Sequence, residues 1–318
     1  LRLTAAAGGT VLSADVDAGE VLRWGDLALR SARAAGPGQV RRHSDALRIT
    51  QDRQETLRAD LADALCADQL HLVYQPVVEL GSGRVAGLHT RMSWRHPHLG
   101  SLDLTRIGQL TGDRETTSRL AAGLLQQACR QAMRWDGGAR GPFIAVDVPV
   151  YQIGYPDMAE LVREALAGSG LPARRLHLQL SGLDAVPAGT HSLIVLTALH
   201  ELGVRIVLDD FGTGHTSLAY LRDLPIHGLR TPAAMLHPAS CEADRALLGG
   251  MARTAHALGL TLTVHGVDDE LRAAVLAGTG VDGAQGVRFG APATPHQVPA
   301  LLRRPSPASP ASHAVLAS

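Results

Sequence analysis

The sequence predicts an α/β protein whose main part is a (β/α)8 barrel. Strand-like apolar runs alternate with amphipathic helical stretches between residues 71 and 287, and eight such runs occur. One of them, Val204–Leu208, leads directly into the carboxylate pair Asp209 and Asp210 and a glycine-rich turn. Alternating strands and helices form parallel sheets, and eight strands over about 240 residues is the size of a closed barrel with its active site at the strand carboxyl ends.

The chain before the barrel is too short to bury a core of its own. We predict a short strand at Thr10–Leu12 and a helix at Glu20–Ala35, which the stop signal Gly36-Pro37-Gly38 terminates. A second helix is expected from Ser44 to Asp68, because leucines recur on one face at four-residue intervals. These leucines are Leu57, Leu61 and Leu65.

The barrel strands are predicted from apolar runs that turn residues bound on either side. They are expected at His71–Val78, Arg84–Trp94, Phe143–Val148, Leu176–Leu180, Val204–Asp209, Gly228–Thr231, Thr261–His265 and Ala284–Val287. The glycine-containing turn Leu80–Arg84 joins the first two as a hairpin, so this pair is expected to be antiparallel.

Two intervening helices show clear apolar faces at helical spacing. In Asp157–Leu166 the residues expected to point inward are Met158, Leu161, Val162 and Ala165. In Ala243–Leu258 they are Leu247, Met251, Ala255 and Leu258. The tail at 304–318 is rich in proline, serine and alanine and is expected to be disordered.

Composition limits the function classes. Thirty basic and thirty acidic residues cancel, which argues against a nucleic-acid polymer as partner. Every basic residue is an arginine, so no mechanism that needs a lysine can operate. Three cysteines without CxxC spacing argue against a disulfide framework and a cysteine zinc site, and no apolar run reaches the roughly 18 residues of a membrane span. We expect a cytoplasmic protein; because the chain starts at Leu1, membrane or sensor segments upstream are compatible with this expectation.

Several short motifs follow one another in a specific order. They are Tyr74-Gln75-Pro76, Trp94-Arg95-His96-Pro97, Asp209-Asp210-Phe211-Gly212-Thr213-Gly214, Ser217-Leu218-Ala219-Tyr220-Leu221, Leu224-Pro225 and Gln285-Gly286. Together they resemble the EAL family of cyclic-di-GMP phosphodiesterases. This resemblance implies an EAL-type barrel at 69–303 with an antiparallel first strand.

The stretch from Trp24 to Gly36 resembles the closing helix of GGDEF diguanylate cyclase domains. The matching positions are Asp26, Ala28, Leu29, Ala32 and Gly36. The resemblance implies a carboxyl-terminal remnant of an α+β GGDEF-like domain at 1–43, followed by a connecting helix at 44–68. The signature loop of that family lies outside this sequence, so no cyclase activity can be argued from the resemblance.

Active EAL proteins resemble two-metal hydrolases, in which carboxylates and one asparagine hold the cations that activate water. Most of the residues that this resemblance assigns to the site differ here. His89 and Ser93 stand in place of the family's first glutamate and its phosphate-binding arginine, and Asp147 stands in place of its asparagine. Gln179 and Gly182 stand in place of two further glutamates. Arg230, Pro232 and His265 stand in place of its lysine, its aspartate and its last glutamate. The aspartate pair Asp209 and Asp210 is unchanged.

These replacements predict a catalytically degenerate EAL protein that acts as a regulatory or scaffolding module. One catalytic group typically contributes 10²- to 10⁴-fold, and an arginine such as Arg230 cannot give up a proton as a lysine does. Two alternatives stay open: a phosphodiesterase with weak or altered metal-dependent activity, and a receptor that binds cyclic-di-GMP without cleaving it.

The binding expectations follow from the matched positions. Gln75, Arg91 and Gln285 are the candidate dinucleotide contacts. For Arg91 an alternative is a structural ion pair with Asp147 or Asp209, since buried charge is usually paired.

We expect no cofactor, with magnesium, manganese or another divalent metal as the alternative. The candidate ligands for such an ion are Asp209 and Asp210 together with His89, Asp147 and His265. Partners predicted from the resemblance are a signalling protein that the sequence does not identify, cyclic-di-GMP, and a second copy of the chain. The second copy would contact the segment Asp209–Pro225 and the helix after it.

Overall fold

The computed structural model describes residues 5–11, 16–34, 38–66, 69–103, 114–135, 141–153, 157–181, 190–213, 221–236 and 241–303. The described residues up to Cys66 form one compact unit, and those from Gln69 onward form a second. None of the helices in these ranges is both long and apolar enough to cross a membrane. The predicted tail at 304–318 and the site position Gly182 lie outside the described residues.

The amino-terminal unit contains two short parallel strands, β1 (Ala7–Gly9) and β2 (Val40–Arg42). Its helices are α1 (Ala18–Ala34) and α2 (Asp45–Cys66), close to the predicted helices. Leu57 and Leu61 of α2 are buried as predicted.

The strand predicted at Thr10–Leu12 is wrong, because β1 lies earlier and Thr10 is outside it. The reason is close packing at Gly8, where an added Cβ would lie 2.1 Å from the backbone nitrogen of Leu29 in α1. A strand at that position therefore needs glycine, although strand propensity favours the β-branched residues that follow.

The second unit is a closed barrel of alternating strands and helices. Its strands are β3 (Leu70–Glu79), β4 (Val85–His96), β5 (Gly100–Asp103), β6 (Phe143–Pro149), β7 (Leu176–Ser181), β8 (Arg205–Leu208), β9 (Gly228–Pro232), β10 (Thr261–His265) and β11 (Gly283–Gln285). Among the described residues, eight of these strands close a ring in the order β3-β4-β6-β7-β8-β9-β10-β11. The strand β3 is antiparallel to both neighbours and all other neighbours in the ring are parallel, which confirms the predicted fold.

The strands differ from the prediction by one additional strand and, at several ends, by one or two residues. The strand β5 was not predicted and extends β4 outside the ring as an antiparallel hairpin. The last strand ends at Gln285, before Val287, whose side chain is 55% exposed.

The described helices of the barrel unit are α3 (Arg114–Trp135), α4 (Val150–Ile153), α5 (Met158–Ser169), α6 (Thr190–Glu201), α7 (Cys241–Ala257), α8 (Glu270–Val275) and α9 (Val298–Arg303). In α5 the predicted inward residues Met158, Val162 and Ala165 are buried, and Leu161 is half-buried.

In α7 the predicted inward face is confirmed only at Ala255, which is buried, and is wrong at the other three positions. Leu247 is 45% exposed, and Met251 and Leu258 are half-buried. The buried face is Asp244, Leu248, Gly249, Ala252 and Ala255. Small residues let a helix approach its neighbour closely, so this face packs inward although Leu247 and Met251 are larger and more apolar.

The barrel brings the carboxyl ends of the parallel strands to one mouth. Across β6, β7 and β8 the register pairs Asp147 with Gln179 and Gln179 with Val207. Asp209 is the first residue after β8, so it lies at the same end of the sheet. On the other side, β9 and β10 pair Pro232 with His265. The matched strand ends predicted from the sequence therefore surround one opening.

Candidate functional site

A cavity of about 600 Å³ opens at the carboxyl ends of the barrel strands. Its lining includes nine sequence-predicted site residues: Gln75, His89, Arg91, Asp147, Asp209, Asp210, Arg230, His265 and Gln285. The lining also includes apolar side chains, among them Met92, Leu120, Leu124, Leu125 and Met158. The cavity thus combines apolar residues with a dense set of polar groups, as small-molecule sites commonly do.

A tight turn presents the aspartate pair to this cavity. The backbone nitrogen of Asp209 donates to Leu180 (2.8 Å) and that of Phe211 to Arg230 (2.9 Å), so β7 and β9 hold the turn from both sides. Asp210 has a positive φ of 54°, a conformation that aspartate adopts more readily than most residues. Its backbone nitrogen donates to Oδ1 of Asp209 (2.9 Å), which fixes the first carboxylate.

The second oxygen of Asp209 is bound by an arginine. Nη1 of Arg230 donates to Oδ2 at 2.5 Å, and the two side chains are 6% and 10% exposed. Such charge-assisted bonds are about twice as strong as neutral ones, and burial reduces screening. Asp209 is therefore neutralised by a permanent charge of the chain itself.

His89 and Asp147 form a second buried pair. Nε2 of His89 lies 2.8 Å from Oδ1 of Asp147, and His89 is 4% exposed. Burial acts to raise the pKa of Asp147, but its electrostatic interaction and hydrogen bond with His89, with smaller contributions from Arg230 and His265, lower it below its usual value. Asp147 is therefore an anion whose main partner is a side chain.

Gln285 connects these two pairs through hydrogen bonds whose donors and acceptors are fixed by Arg230. Arg230 can only donate, so its bond from Nη2 (3.0 Å) requires Oε1 of Gln285 as acceptor. Nε2 of Gln285 then donates to Oε1 of Gln75 and to Nδ1 of His89, each at 2.9 Å. Because Nδ1 of His89 accepts a hydrogen bond, Nε2 carries the proton and donates a hydrogen bond to Asp147.

His265, the last residue of β10, lies beside the two aspartates. Its Nε2 is 3.4 Å from Oδ1 of Asp210 and 3.7 Å from Oδ1 of Asp209. The hydrogen-bonding contact with His265 lowers the pKa of Asp210 below its usual value, despite the opposing effect of partial burial. One ligand atom from each of the three residues lies within 4.8 Å of the others, and no other group of this kind occurs among the described residues.

The structure thus divides the five metal ligands predicted from the sequence. His89 and Asp147 bind each other, and Asp209, Asp210 and His265 form a separate cluster. The donor set does not fit the pair of metal ions that the fold family implies. Both ring nitrogens of His89 are engaged, and Arg230 occupies one oxygen of Asp209.

Two features of the site were not predicted. Gln285, predicted as a dinucleotide contact, is 3% exposed and connects His89 to Arg230. Gln179 is 4% exposed, and its Oε1 has no hydrogen-bond partner among the described residues. A motif can identify such positions, but side-chain geometry is needed to show what they contact.

Comparison with known proteins identifies the barrel. The family model of the EAL domain matches residues 58–292. The cyclic di-GMP phosphodiesterase NbdA of Pseudomonas aeruginosa is 32% identical over 277 residues, which are 86% of this chain and 35% of NbdA. The uncharacterized protein Rv1357c of Mycobacterium tuberculosis is 31% identical over 81% of this chain and 85% of its own length.

A solved structure gives the same result. A Pseudomonas aeruginosa MucR phosphodiesterase in complex with cyclic-di-GMP superimposes with a TM-score of 0.70 and 30% identity, over 76% of this chain and 99% of that one. The chain spans between 34% and 41% of the length of several curated relatives, MucR and NbdA among them. The chain therefore belongs to the EAL domain family, a family of cyclic-di-GMP signalling.

Proposed function

We propose that this chain is a regulatory module of cyclic-di-GMP signalling that does not hydrolyse the dinucleotide. The observation that carries the proposal is the buried ion pair between Arg230 and Asp209. Two-metal hydrolysis needs two divalent ions held by free carboxylates. Here the chain supplies its own cation to one of them.

Displacing this cation is costly. A metal ion at Oδ2 of Asp209 would separate Arg230 from its partner, and breaking a buried ion pair typically costs about 3–5 kcal/mol. The positively charged guanidinium of Arg230 would also repel two such ions. The stable arrangement is therefore the ion pair, not a metal pair.

The residues that would activate water are also engaged or absent. His89 uses one nitrogen toward Asp147 and the other toward Gln285. Arg230 is permanently charged and cannot take part in proton transfer. With several groups of one machinery lost together, hydrolysis is expected near the uncatalysed rate.

The test is a side-by-side assay with NbdA from Pseudomonas aeruginosa, which is named as a cyclic di-GMP phosphodiesterase. Both proteins, free of affinity tags, receive cyclic-di-GMP with magnesium or manganese, and the linear dinucleotide is quantified. We expect product from NbdA and none above buffer from this chain. Turnover by this chain at a rate similar to that of NbdA would contradict the proposal and favour an active enzyme.

A second candidate function is a receptor that binds cyclic-di-GMP without cleaving it. The 600 Å³ cavity and the MucR complex with this dinucleotide support it. Four lining carboxylates, Asp147, Asp209, Asp210 and Asp268, oppose a dianionic ligand, whereas Arg91 and Arg230 attract it. Calorimetric titration separates the candidates, because a receptor gives saturable heat that Arg91→Ala reduces and a scaffold gives none.

The regulatory role is proposed to act through protein contacts, including a homodimer. The turn at Asp209–Thr213 is tied to β9 by bonds from Phe211 to Arg230 and from Thr231 to Phe211. The following helix α7 carries Leu247, whose 45% exposure offers an apolar contact.

The amino-terminal unit is proposed to be the remnant of a GGDEF-like domain, with α2 connecting it to the barrel. The match to MucR supports this, since its 281 residues are more than the EAL family model covers at 58–292. MucR is also named as a bifunctional diguanylate cyclase/cyclic di-GMP phosphodiesterase.

A further inference from the structure

We propose that an apolar chamber beside the barrel mouth binds the uncharged, apolar part of a small ligand. The chamber lies between the strands β4 and β6 and the helices α3 and α5, and it is continuous with the mouth. Such a site goes beyond the regulatory function, since neither the aspartate pair nor a metal ion takes part. Three features support it: the separation of two strands, a buried apolar lining and one side chain without a partner.

The strands β4 and β6 separate before they reach the mouth. Their pairing ends at His89 and Ala145 among the described residues, although both strands continue beside their other neighbours β3 and β7. Farther along, they are connected by the side-chain hydrogen bond of His89 with Asp147. The resulting gap joins the barrel interior to the layer between the barrel and its helices.

Side chains from both faces of these strands line the cavity. Arg91 of β4 and Asp147 of β6 do so, and so do their direct neighbours Met92 and Val148. Successive side chains of a strand point to opposite faces of the sheet. A cavity confined to the barrel interior meets only one face, so this cavity extends through the gap to the helix-facing side.

The helix-facing side is enclosed and apolar. Leu120 and Leu125 of α3 and Met158 of α5 line the cavity, and each is at most 3% exposed. At the surface the same helices are connected, because Oγ of Ser118 donates to Oδ2 of Asp157 just before α5 (3.2 Å). An apolar group gains packing contacts in such surroundings, whereas a charged group loses its hydration. The group that enters the chamber is therefore uncharged.

One polar side chain of the lining lacks a partner. Gln152 of α4 is 7% exposed and lines the cavity, and its amide makes no hydrogen bond with any described residue. Buried amides are usually hydrogen-bonded, so a ligand with one hydroxyl or carbonyl group is complementary to Gln152. The mouth and chamber together enclose about 600 Å³, the size of a small-molecule site. The ligand class is thus an uncharged aromatic or short aliphatic molecule with one polar group.

The test uses the full chain and 1-naphthol, an uncharged ring system with one hydroxyl group. Calorimetric titration compares it with two charged probes of similar size, 1-naphthoate and 1-naphthylmethylammonium. We expect saturable binding of 1-naphthol at one site. Both charged probes should bind at least about tenfold more weakly, because a charge is costly to bury among apolar side chains.

Two variants place the probe in the chamber. Leu124 of α3 lines the cavity, and Leu124→Trp puts a larger side chain there and should weaken 1-naphthol binding more than about tenfold. Gln152→Leu keeps the size but removes the amide and should weaken binding about threefold to tenfold, the net contribution of one hydrogen bond. The control Leu193→Trp changes an exposed leucine of α6 and should leave the affinity unchanged.

Circular dichroism checks that each variant is folded, and Gln152→Leu decides the question if Leu124→Trp is not. No saturable binding of 1-naphthol, or equal affinity for 1-naphthoate, would overturn the proposal and leave water as the occupant. An affinity that neither cavity variant changes would overturn it as well. Binding is measured without hydrolysis, so this proposal and the regulatory function can fail independently.

Discussion

Nη1 of Arg230 lies 2.5 Å from Oδ2 of Asp209, in an ion pair whose two side chains are at most 10% exposed. The aspartate occupies a position that resembles a metal ligand of the EAL family, and the arginine stands where the resemblance places a lysine. A permanent positive charge of the chain thus lies against one oxygen of this carboxylate.

The first prediction concerns the stability of this pair. Arg230→Met leaves Asp209 buried without its cation and should lower the free energy of unfolding by about 3–5 kcal/mol. The double variant Arg230→Met with Asp209→Leu should recover much of this loss, because an apolar pair avoids the desolvation of charge. Urea unfolding of the single and double variants measures the coupling.

A matched control is Arg163→Ala, which removes an exposed ion pair with Glu160 in the same unit. Exposed pairs contribute about 0–1 kcal/mol, so little change is expected. Equal losses in Arg163→Ala and Arg230→Met would contradict the importance assigned to the buried pair.

The second prediction concerns the protonation of His89. In the wild type, Nδ1 accepts from Nε2 of Gln285, so Nε2 of His89 carries the proton. Gln285→Glu replaces this donor with a carboxylate, which can only accept a hydrogen bond. We therefore expect Nδ1 of His89 to carry a proton in the variant. Nitrogen-15 NMR of the imidazole distinguishes the two states, and an unchanged spectrum in the variant would show that Gln285 does not set the tautomer.

The third prediction concerns acid stability. Burial, and then the charges of Arg205 and His227, lower the pKa of His177 to about 3. Burial, and then the charges of Arg205 and His200, lower the pKa of His227 to about 4. Because the unfolded chain binds these protons near pH 6.5 and the folded chain does not, stability should fall as the pH drops from about 6.5 toward 4.

Each histidine contributes at most about 1.4 kcal/mol per pH unit, and the more exposed His227 contributes less. The lowered pKa of Asp147 acts in a separate window, since its stabilisation is lost only below the usual aspartate value. Thermal melts across pH measure the slope. His177 stacks on Phe143, and His177→Phe should make the dependence of stability on pH less steep. The control His296→Ala changes an exposed histidine and should leave the slope unchanged. An unchanged slope in His177→Phe would exclude His177 as a cause.

The fourth prediction concerns assembly. The proposed dimer surface includes Leu247 of α7, so the chain should be dimeric at tens of micromolar and Leu247→Glu should shift it to monomer. Leu193→Glu changes a similarly exposed leucine on α6 and serves as the control. Multi-angle light scattering that gives only monomer for the wild type would remove the dimer from the account.

Sequence reasoning was sufficient for the architecture of the barrel. Apolar strand runs, the turn at Leu80–Arg84 and the carboxylates after β8 depend on local periodicity and chemistry, and these gave the closed ring and its antiparallel first strand. The inward face of α7 could not be found in this way. Gly249 and Ala252 are buried there because a neighbour packs closely, which hydrophobicity does not encode.

For the site, the sequence predicted which residues meet but not how they pair. His89, Asp147, Asp209 and Asp210 were expected at one mouth and all line the cavity. That His89 binds Asp147, and that Gln285 joins them to Arg230, depends on rotamers and hydrogen-bond directions that span up to 196 residues of sequence. Such contacts leave no periodic signal in a single chain.

We propose that this barrel does not hydrolyse cyclic-di-GMP because the chain's own groups replace the metal pair. The most direct measurement is the yield of linear dinucleotide from wild type and Asp209→Ala at equal concentration with manganese. We expect no product above buffer from either protein. Turnover by the wild type that Asp209→Ala abolishes would contradict it.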